Sequence, residues 1–334
     1  MLVAQPSMDI PRALLWINGR TRAASTNHTF EVHNPLRKKI VSVCASATSE
    51  DCKDAVEAAA HAFTTWEQVN PAEMQSYSDY SRRNWVKKIP LICGNTVVVK
   101  SSEYIPRSQA IAVEVMHEAG ILPGVLNLIS MSRENAPKLT TEIIGNPHVR
   151  HINFTGSDSV GKIIAAEAAK YLKPCVFELG GKTPAVVLDD ANIPEAAQSI
   201  ALGAMLHSGQ VCVSTERVIV QRNIAAALQS ELVAICGRLK AGDHINDPSV
   251  NLSCLFSESS AANVLSTIEE AASAGAQVLL GDMKRDGAVI QPHVLSGVKP
   301  GMRAWDRESF GPVIVIAVVD TVDEAVDLAN ASDY

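Results

Sequence analysis

The sequence predicts an α/β chain of two domains, and three observations carry that prediction. At 334 residues the chain has room for two units of the usual ~100–200 residues each. From about residue 94 onward, short β-branched runs alternate with stretches of helical period. Strands separated by helices of ~10–15 residues imply parallel sheets covered on both faces. Composition is that of a globular protein, 47% hydrophobic and 19% charged with a net charge of −7.

The elements follow in order. Residues 96–99 read as a buried strand and 108–118 as a helix closed by Gly120. Pro123-Gly124 makes a turn before a strand over 125–129; another strand spans 150–154, after which Gly156-Ser157 opens a helix running toward Tyr171. Beyond it come a strand at 186–188, a helix over 193–207, a strand at 217–220 and a helix over 224–239. A helix over 262–274 and a strand at 278–280 follow. Thr321 with Glu324 forms a capping box for a last helix through Ala325, Val326, Leu328 and Ala329, because each side chain can satisfy the other's backbone N–H. Residues 67–84 break the pattern: Ser76, Tyr77, Ser78, Asp79, Tyr80 and Ser81 show no apolar period. That stretch reads as a loop or a poorly fitting junction. The end at Tyr334 reads as abrupt, since a helix packed on a sheet normally returns to a further strand.

Several function classes are disfavoured. A mildly acidic chain lacks the basic face that phosphate backbones require, so no nucleic-acid partner is expected. Apolar runs stop well short of the ~18 residues of a membrane span. Asp9, Arg12 and Arg20 interrupt the first twenty residues, which show no basic-then-apolar signal pattern. Seven cysteines, at 44, 52, 93, 175, 212, 236 and 254, form no CxxC pair; they fit a reducing compartment, and a cytoplasmic location is expected. His148 and His151 stand three apart with no third ligand nearby, so no metal site is expected.

Two positions carry chemistry. Cys212 is approached through Gly209-Gln210-Val211 and followed by Val213, Ser214, Thr215 and Glu216, the setting of an exposed nucleophile rather than of a buried packing thiol. Glu178 stands before Leu179, Gly180, Gly181 and Lys182, on a turn where backbone can approach a ligand closely. A thiol and a carboxylate are the minimum set for covalent catalysis followed by hydrolysis; ordinary turn chemistry is the alternative. Lys100 follows a strand at its carboxyl end, where open α/β sheets bind ligands; a solvated i,i+3 charge pair with Glu103 is the alternative there.

With Ile17-Asn18-Gly19, Asn34-Pro35, Lys100-Ser101-Ser102-Glu103, the Cys212–Arg217 run and Glu308-Ser309-Phe310-Gly311-Pro312 in this order, the chain resembles the aldehyde dehydrogenase superfamily, most closely its vanillin/salicylaldehyde dehydrogenase-like branch. The resemblance covers nearly the whole chain. It implies a Rossmann-type NAD-binding domain over 1–179 and an α/β catalytic domain over 180–334, both incomplete. It implies Cys212 as nucleophile and Glu178 as the base that activates the deacylating water. Lys100 and Glu103 would hold the adenosine ribose, and Gly156, Ser157 and Gly161 would receive the pyrophosphate at a helix N-terminus. Glu308 and Phe310 would position the nicotinamide ribose and ring. The implied activity is NAD-dependent oxidation of an aromatic or apolar aldehyde to the acid, through a cysteine thiohemiacetal and thioester. NADP is the alternative cofactor, and Glu103 favours NAD because a 2′-phosphate would meet its carboxylate.

The chain departs from the family pattern in two places. The family's oxyanion-binding asparagine lies before the lysine in a Pro-Trp-Asn type motif; counting back from Lys100 by the family's spacing lands on Tyr77, and Asn84, in Arg83-Asn84-Trp85, is out of place. Only 34 positions separate Trp66 from Lys100, far fewer than in the family, so an internal deletion near 67–84 is expected. The family also continues past the equivalent of Tyr334. Both sides of its oligomerisation arm fall in these gaps, so loss of the usual dimer or tetramer contact is expected. A catalytically impaired remnant and a Cys212 thioesterase working without redox chemistry are the competing readings.

Overall fold

The computed structural model describes the backbone of residues 10–72, 74 and 85–334, and the side chains of these except 85–88. The chain is α/β and divides into two compact units: Met1–Asn34 with Lys38–Glu178, and Pro35–Arg37 with Leu179–Tyr334.

In the first unit, strand Val97–Lys100 pairs in parallel with Leu126–Ile129. The N-terminal segment extends this pair: Leu15–Ile17 lies antiparallel to Leu126–Ile129 and to Arg20–Arg22. The Leu15–Ile17 and Arg20–Arg22 strands turn at Asn18-Gly19, where φ is 52° and 74°, the left-handed pair that two-residue hairpins need. Helix Ser49–Trp66 packs behind, opened by a capping box between Thr48 and Asp51. A separate parallel pair, Ile152–Thr155 with Cys175–Glu178, leads into and out of helix Asp158–Ala169. The alternation of elements predicts parallel sheets covered on both faces. Here only Ile152, Phe154, Cys175 and Phe177 are packed, against Ile144, Ile164 and Ala168, while Asn153, Thr155, Val176 and Glu178 face outward. Coverage on one face is what one helix per two short strands can provide.

The second unit fulfils the expectation more fully. Its five-stranded sheet runs Thr183–Val187, Thr215–Gln221, Val313–Val319, His293–Ser296, Gln277–Leu280. The first four are parallel and the last antiparallel. Strand Val313–Val319 lies in the middle and alternates its apolar side chains between two cores. Ile314 and Ile316 meet helices Ile193–Met205 and Arg222–Cys236; Val313, Val315, Ala317 and Val319 meet helix Glu258–Ser273, Trp305 and Ala325. A two-residue side-chain period makes this division automatic. At ~1.5–3 kcal/mol for each fully buried branched side chain, this strand is the chief anchor of the unit.

The polar stretch 67–84 falls largely outside the described residues; within it, residues 71, 72 and 74 are helical, where no helix is expected from sequence. Tyr77 and Asn84 lie outside the described residues. The last helix, Val322–Asn330, carries the expected capping box, although Val326 faces outward at 49% exposure rather than joining its apolar face.

Candidate active site

Cys212 owes its position to a forced backbone. Helix Ile193–Met205 gives way to a turn at Leu206–Gly209 in which His207, Ser208 and Gly209 have φ of 54°, 59° and 74°. Left-handed backbone costs a non-glycine residue about 1–2 kcal/mol, so surrounding bonds must hold it. Ser208 donates to the Ser253 carbonyl at 2.8 Å. Gln210 donates to the carbonyls of His207 and Cys254 and accepts from the Phe256 N–H at 2.8 Å. Gly209 has no substitute: a Cβ there would stand 2.1 Å from the Gly311 oxygen. Cys212 then occurs in an exposed turn closed by Ser214 N–H to Val211 O at 2.9 Å, just before strand Thr215–Gln221.

Exposure separates this thiol from most of the others. Burial pushes Cys44 and Cys236 up to about 11 and Cys52 up to about 12, and raises Cys254. Those four are packing groups. Cys93 is exposed as well, but it follows directly on helix Trp85–Ile92, with its glycine after it rather than before.

Two other segments meet the Cys212 loop within the second unit. A Cβ on Gly181 would stand 3.5 Å from the Cys212 carbonyl oxygen, and one on Gly180 would fall 2.0 Å from Glu308 Oε2. The Gly181 N–H donates to Glu308 Oε1 at 3.4 Å. The double-glycine turn therefore lies between the Glu308 carboxylate and the main chain of Cys212. Phe310, at φ 51°, turns the segment after Glu308 and meets Phe256 edge-on with ring centroids 6.4 Å apart.

Beneath these loops lies a buried ion pair. Lys182 Nζ is 2.5 Å from Glu216 Oε2, with the side chains 0% and 3% exposed. Lys182 also donates to Ser309 Oγ at 2.9 Å. Glu216 accepts from the Ser309 N–H at 2.7 Å and from the Phe310 N–H at 3.0 Å. Burial holds Lys182 below the ordinary lysine value, against the opposing pull of the Glu216 carboxylate. Next in sequence, Arg217 donates to Lys182 O at 2.7 Å and to Ala329 O at 3.0 Å, with its guanidinium 5.1 Å from the Trp305 ring centre.

The remaining expected residues lie in the first unit. Lys100 ends strand Val97–Lys100 and pairs with Glu103 at 3.7 Å. Ser157 caps helix Asp158–Ala169 by accepting from Val160 N–H. The two glycines are engaged through their main chain. The Gly156 N–H donates to Glu178 O at 3.1 Å, and the Gly161 N–H to Ser157 O at 2.9 Å. With both donors engaged, an anion at this terminus would meet the first-turn N–H groups after Ser157 instead. Glu178 is exposed at the end of strand Cys175–Glu178.

The aldehyde dehydrogenase family model matches residues 21–79 and 84–334, which include Cys212, Glu178 and the Glu308–Phe310 segment. The chain belongs to the aldehyde dehydrogenase family. It is an oxidoreductase acting on aldehydes, and its relatives use NAD or NADP. The chain is 32% identical to vanillin dehydrogenase of Pseudomonas fluorescens over 408 aligned positions, covering 98% of this chain and 84% of that one. It is 41% identical to salicylaldehyde dehydrogenase of Pseudomonas putida over 249 residues, 73% of this chain and 50% of that one. Its structure superposes on a salicylaldehyde dehydrogenase from Pseudomonas putida G7, solved with salicylaldehyde, with a TM-score of 0.92 and 30% identity, covering 97% of this chain and 84% of the other. An alignment of 408 positions is longer than this 334-residue aldehyde dehydrogenase, so the relative has residues without a counterpart here. The family match is interrupted at 80–83, inside the polar stretch.

Sequence reasoning passed over Lys182, Glu216 and Ser309 as site residues. A signal was present: Glu216-Arg217 is a charged pair running straight into the apolar Val218-Ile219-Val220, and charges inside a buried strand are almost always partnered.

Proposed function

We propose that this aldehyde dehydrogenase oxidises an aromatic or apolar aldehyde to its carboxylic acid through a covalent Cys212 intermediate, with NAD as the acceptor. The observation that carries the reading is the convergence of an exposed thiol, a glycine turn and the Glu308–Phe310 segment within one unit. The vanillin and salicylaldehyde dehydrogenases among its relatives support an aromatic substrate.

The chemistry proceeds in two stages. The Cys212 thiolate attacks the aldehyde carbon, forming a C–S bond and a tetrahedral thiohemiacetal. The Cys212 backbone N–H is one donor to the developing oxyanion, a contribution worth ~3–4 kcal/mol per donor in acyl-transfer sites. Departure of hydride from the same carbon leaves a thioester. Glu178 then takes a proton from water, the hydroxide adds to the thioester, and the C–S bond breaks to release the acid and regenerate the thiolate.

The donor set fits a nicotinamide dinucleotide. A strand-end lysine paired with a carboxylate, Lys100 and Glu103, matches ribose hydroxyls. The capped terminus of helix Asp158–Ala169 suits a pyrophosphate without a dedicated cation. Glu308 and Phe310 would hold the nicotinamide ribose and ring. Bound there, the oxidised nicotinamide supplies the hydride acceptor. The carboxylate of Glu103 favours NAD over its 2′-phosphorylated form.

A second reading is supported by the interruption of the family match at 80–83: an enzyme slowed by loss of its asparagine oxyanion donor, by about 10²–10³-fold. Initial rates of NAD reduction with benzaldehyde-class aldehydes test both. Turnover that Cys212→Ala abolishes and Glu178→Gln slows at acyl release is the expected result. Folded protein that reduces neither dinucleotide with any such aldehyde leaves only family membership.

A further inference from the structure

We propose that Glu216, clamped by Lys182, is the positioning residue that sets the Glu308–Phe310 segment beside Cys212. This inference rests on the proposed function, because it assigns that segment to the nicotinamide end of the cofactor.

Successive backbone N–H groups around a left-handed residue form a concavity that favours an anion. Ser309 and Phe310 form such a pair, with Phe310 at φ 51°. The anion filling it is the Glu216 carboxylate, which accepts from both N–H groups at 2.7–3.0 Å. Left to itself, a phenylalanine avoids this conformation. The carboxylate repays the strain with bonds to an ionised acceptor, which are stronger than neutral ones. Lys182 makes the arrangement specific, because its ammonium touches both Glu216 and Ser309 Oγ. A buried ion pair seldom adds net stability compared with apolar residues of the same size. Fixing the shape of a segment is the role that this geometry leaves for it.

The chain places the consequence on either side of the clamp. Glu308, one residue before, lies with its carboxylate against Gly180 and Gly181; Phe310, one after, presents its ring toward Phe256. Both stand where the nicotinamide end is assigned, and Glu216 reaches the segment through the Ser309 and Phe310 N–H groups. Glu216 therefore acts through the backbone of its neighbours.

The test compares wild type with Glu216→Gln, in which an amide NH₂ replaces one acceptor oxygen and opposes a backbone N–H. The double variant Lys182→Met/Glu216→Gln removes both charges and keeps the measurement available should the single change leave Lys182 too costly to bury. Three quantities are read on protein with an intact melting transition: the NADH dissociation constant by fluorescence titration, KM and kcat for NAD, and the rate of iodoacetamide labelling at the Cys212 peptide by mass spectrometry. The expected result is a rise of about tenfold or more in the NADH dissociation constant and in KM for NAD, with labelling of Cys212 within about twofold of wild type. Equal KM and NADH affinity in a folded variant, or a loss of labelling parallel to the loss of activity, overturns the inference in favour of a purely structural pair. Wild-type protein that binds no NADH and reduces no NAD overturns the proposed function and this inference together.

Discussion

Gly180 and Gly181 are neighbours in sequence with opposite surroundings, and replacing each by alanine makes a matched test of the site. A Cβ at Gly180 would lie 2.0 Å from Glu308 Oε2, 2.4 Å from Cδ and 2.6 Å from Oε1. Nonbonded atoms need about 3.4 Å or more, so the whole carboxylate must retreat by more than an ångström. Because the obstacle is the end of a flexible side chain and Gly180 has no positive φ, the fold is expected to lose less than about 1 kcal/mol. Function is expected to suffer more, since misplacing a positioning group by ~1 Å can cost about 10²-fold. A Cβ at Gly181 would meet the Cys212 oxygen at 3.5 Å and Thr183 Oγ1 at 3.6 Å, both ordinary contacts. Initial rates of NAD reduction, with melting temperatures alongside, distinguish the two. Gly180→Ala should lower kcat/KM by about 10–100-fold, and Gly181→Ala by no more than about threefold. Equal damage from both substitutions, or none from Gly180→Ala, would refute the placement of Glu308 against this turn.

Two further outcomes follow from groups described above. Brief treatment of folded protein with iodoacetamide should modify Cys212 while sparing Cys44, Cys52 and Cys236, whose thiols burial pushes up to about 11, 12 and 11; peptide mapping with labelling of these buried sites would contradict the packing. Burial acts to raise Asp51, yet bonds from Thr48 and Ser25 and the charge of Arg22 outweigh it and hold the carboxyl below its ordinary value. Its stabilising effect is therefore complete above the unfolded value near 4 and is lost as pH falls through the lower folded value. Asp51→Asn should cost about 1.5–3 kcal/mol at neutral pH, the worth of hydrogen bonds to a charged acceptor, with the gap to wild type narrowing under acid in denaturant titrations; a gap that persists unchanged at low pH would show that the charge is not responsible.

Much of the fold was legible because it rests on local signals. The strand signals at 96–99 and 125–129, the Ser157 cap and the Thr321–Glu324 box each depend on residues close together in sequence. The central strand Val313–Val319 was harder to read, since an unbroken apolar run gives no period of its own. The N-terminal strands were hidden for another reason. Leu15–Ile17 joins its sheet by pairing with residues more than a hundred positions away, which no local pattern announces. Among the candidate site residues, Cys212 stands out in the sequence by the glycine and small polar residues around it. Lys182 and Glu216 do not, because their partnership spans 34 positions and each looks alone like a surface charge. The N–H groups of Gly156 and Gly161 are engaged within the protein, partnerships that their spacing does not announce.

Arg217 gives the architecture a last consequence. From a strand in the sheet interior, it binds the carbonyls at the end of helix Val322–Asn330 on one side and the carbonyl of Lys182 on the other. Fraying of helix Val322–Asn330 would thus strand a buried guanidinium five positions from Cys212. The last turn of that helix and the ground beneath Cys212 should open and close as one cooperative patch, so that loosening of helix Val322–Asn330 is felt at the Cys212 turn.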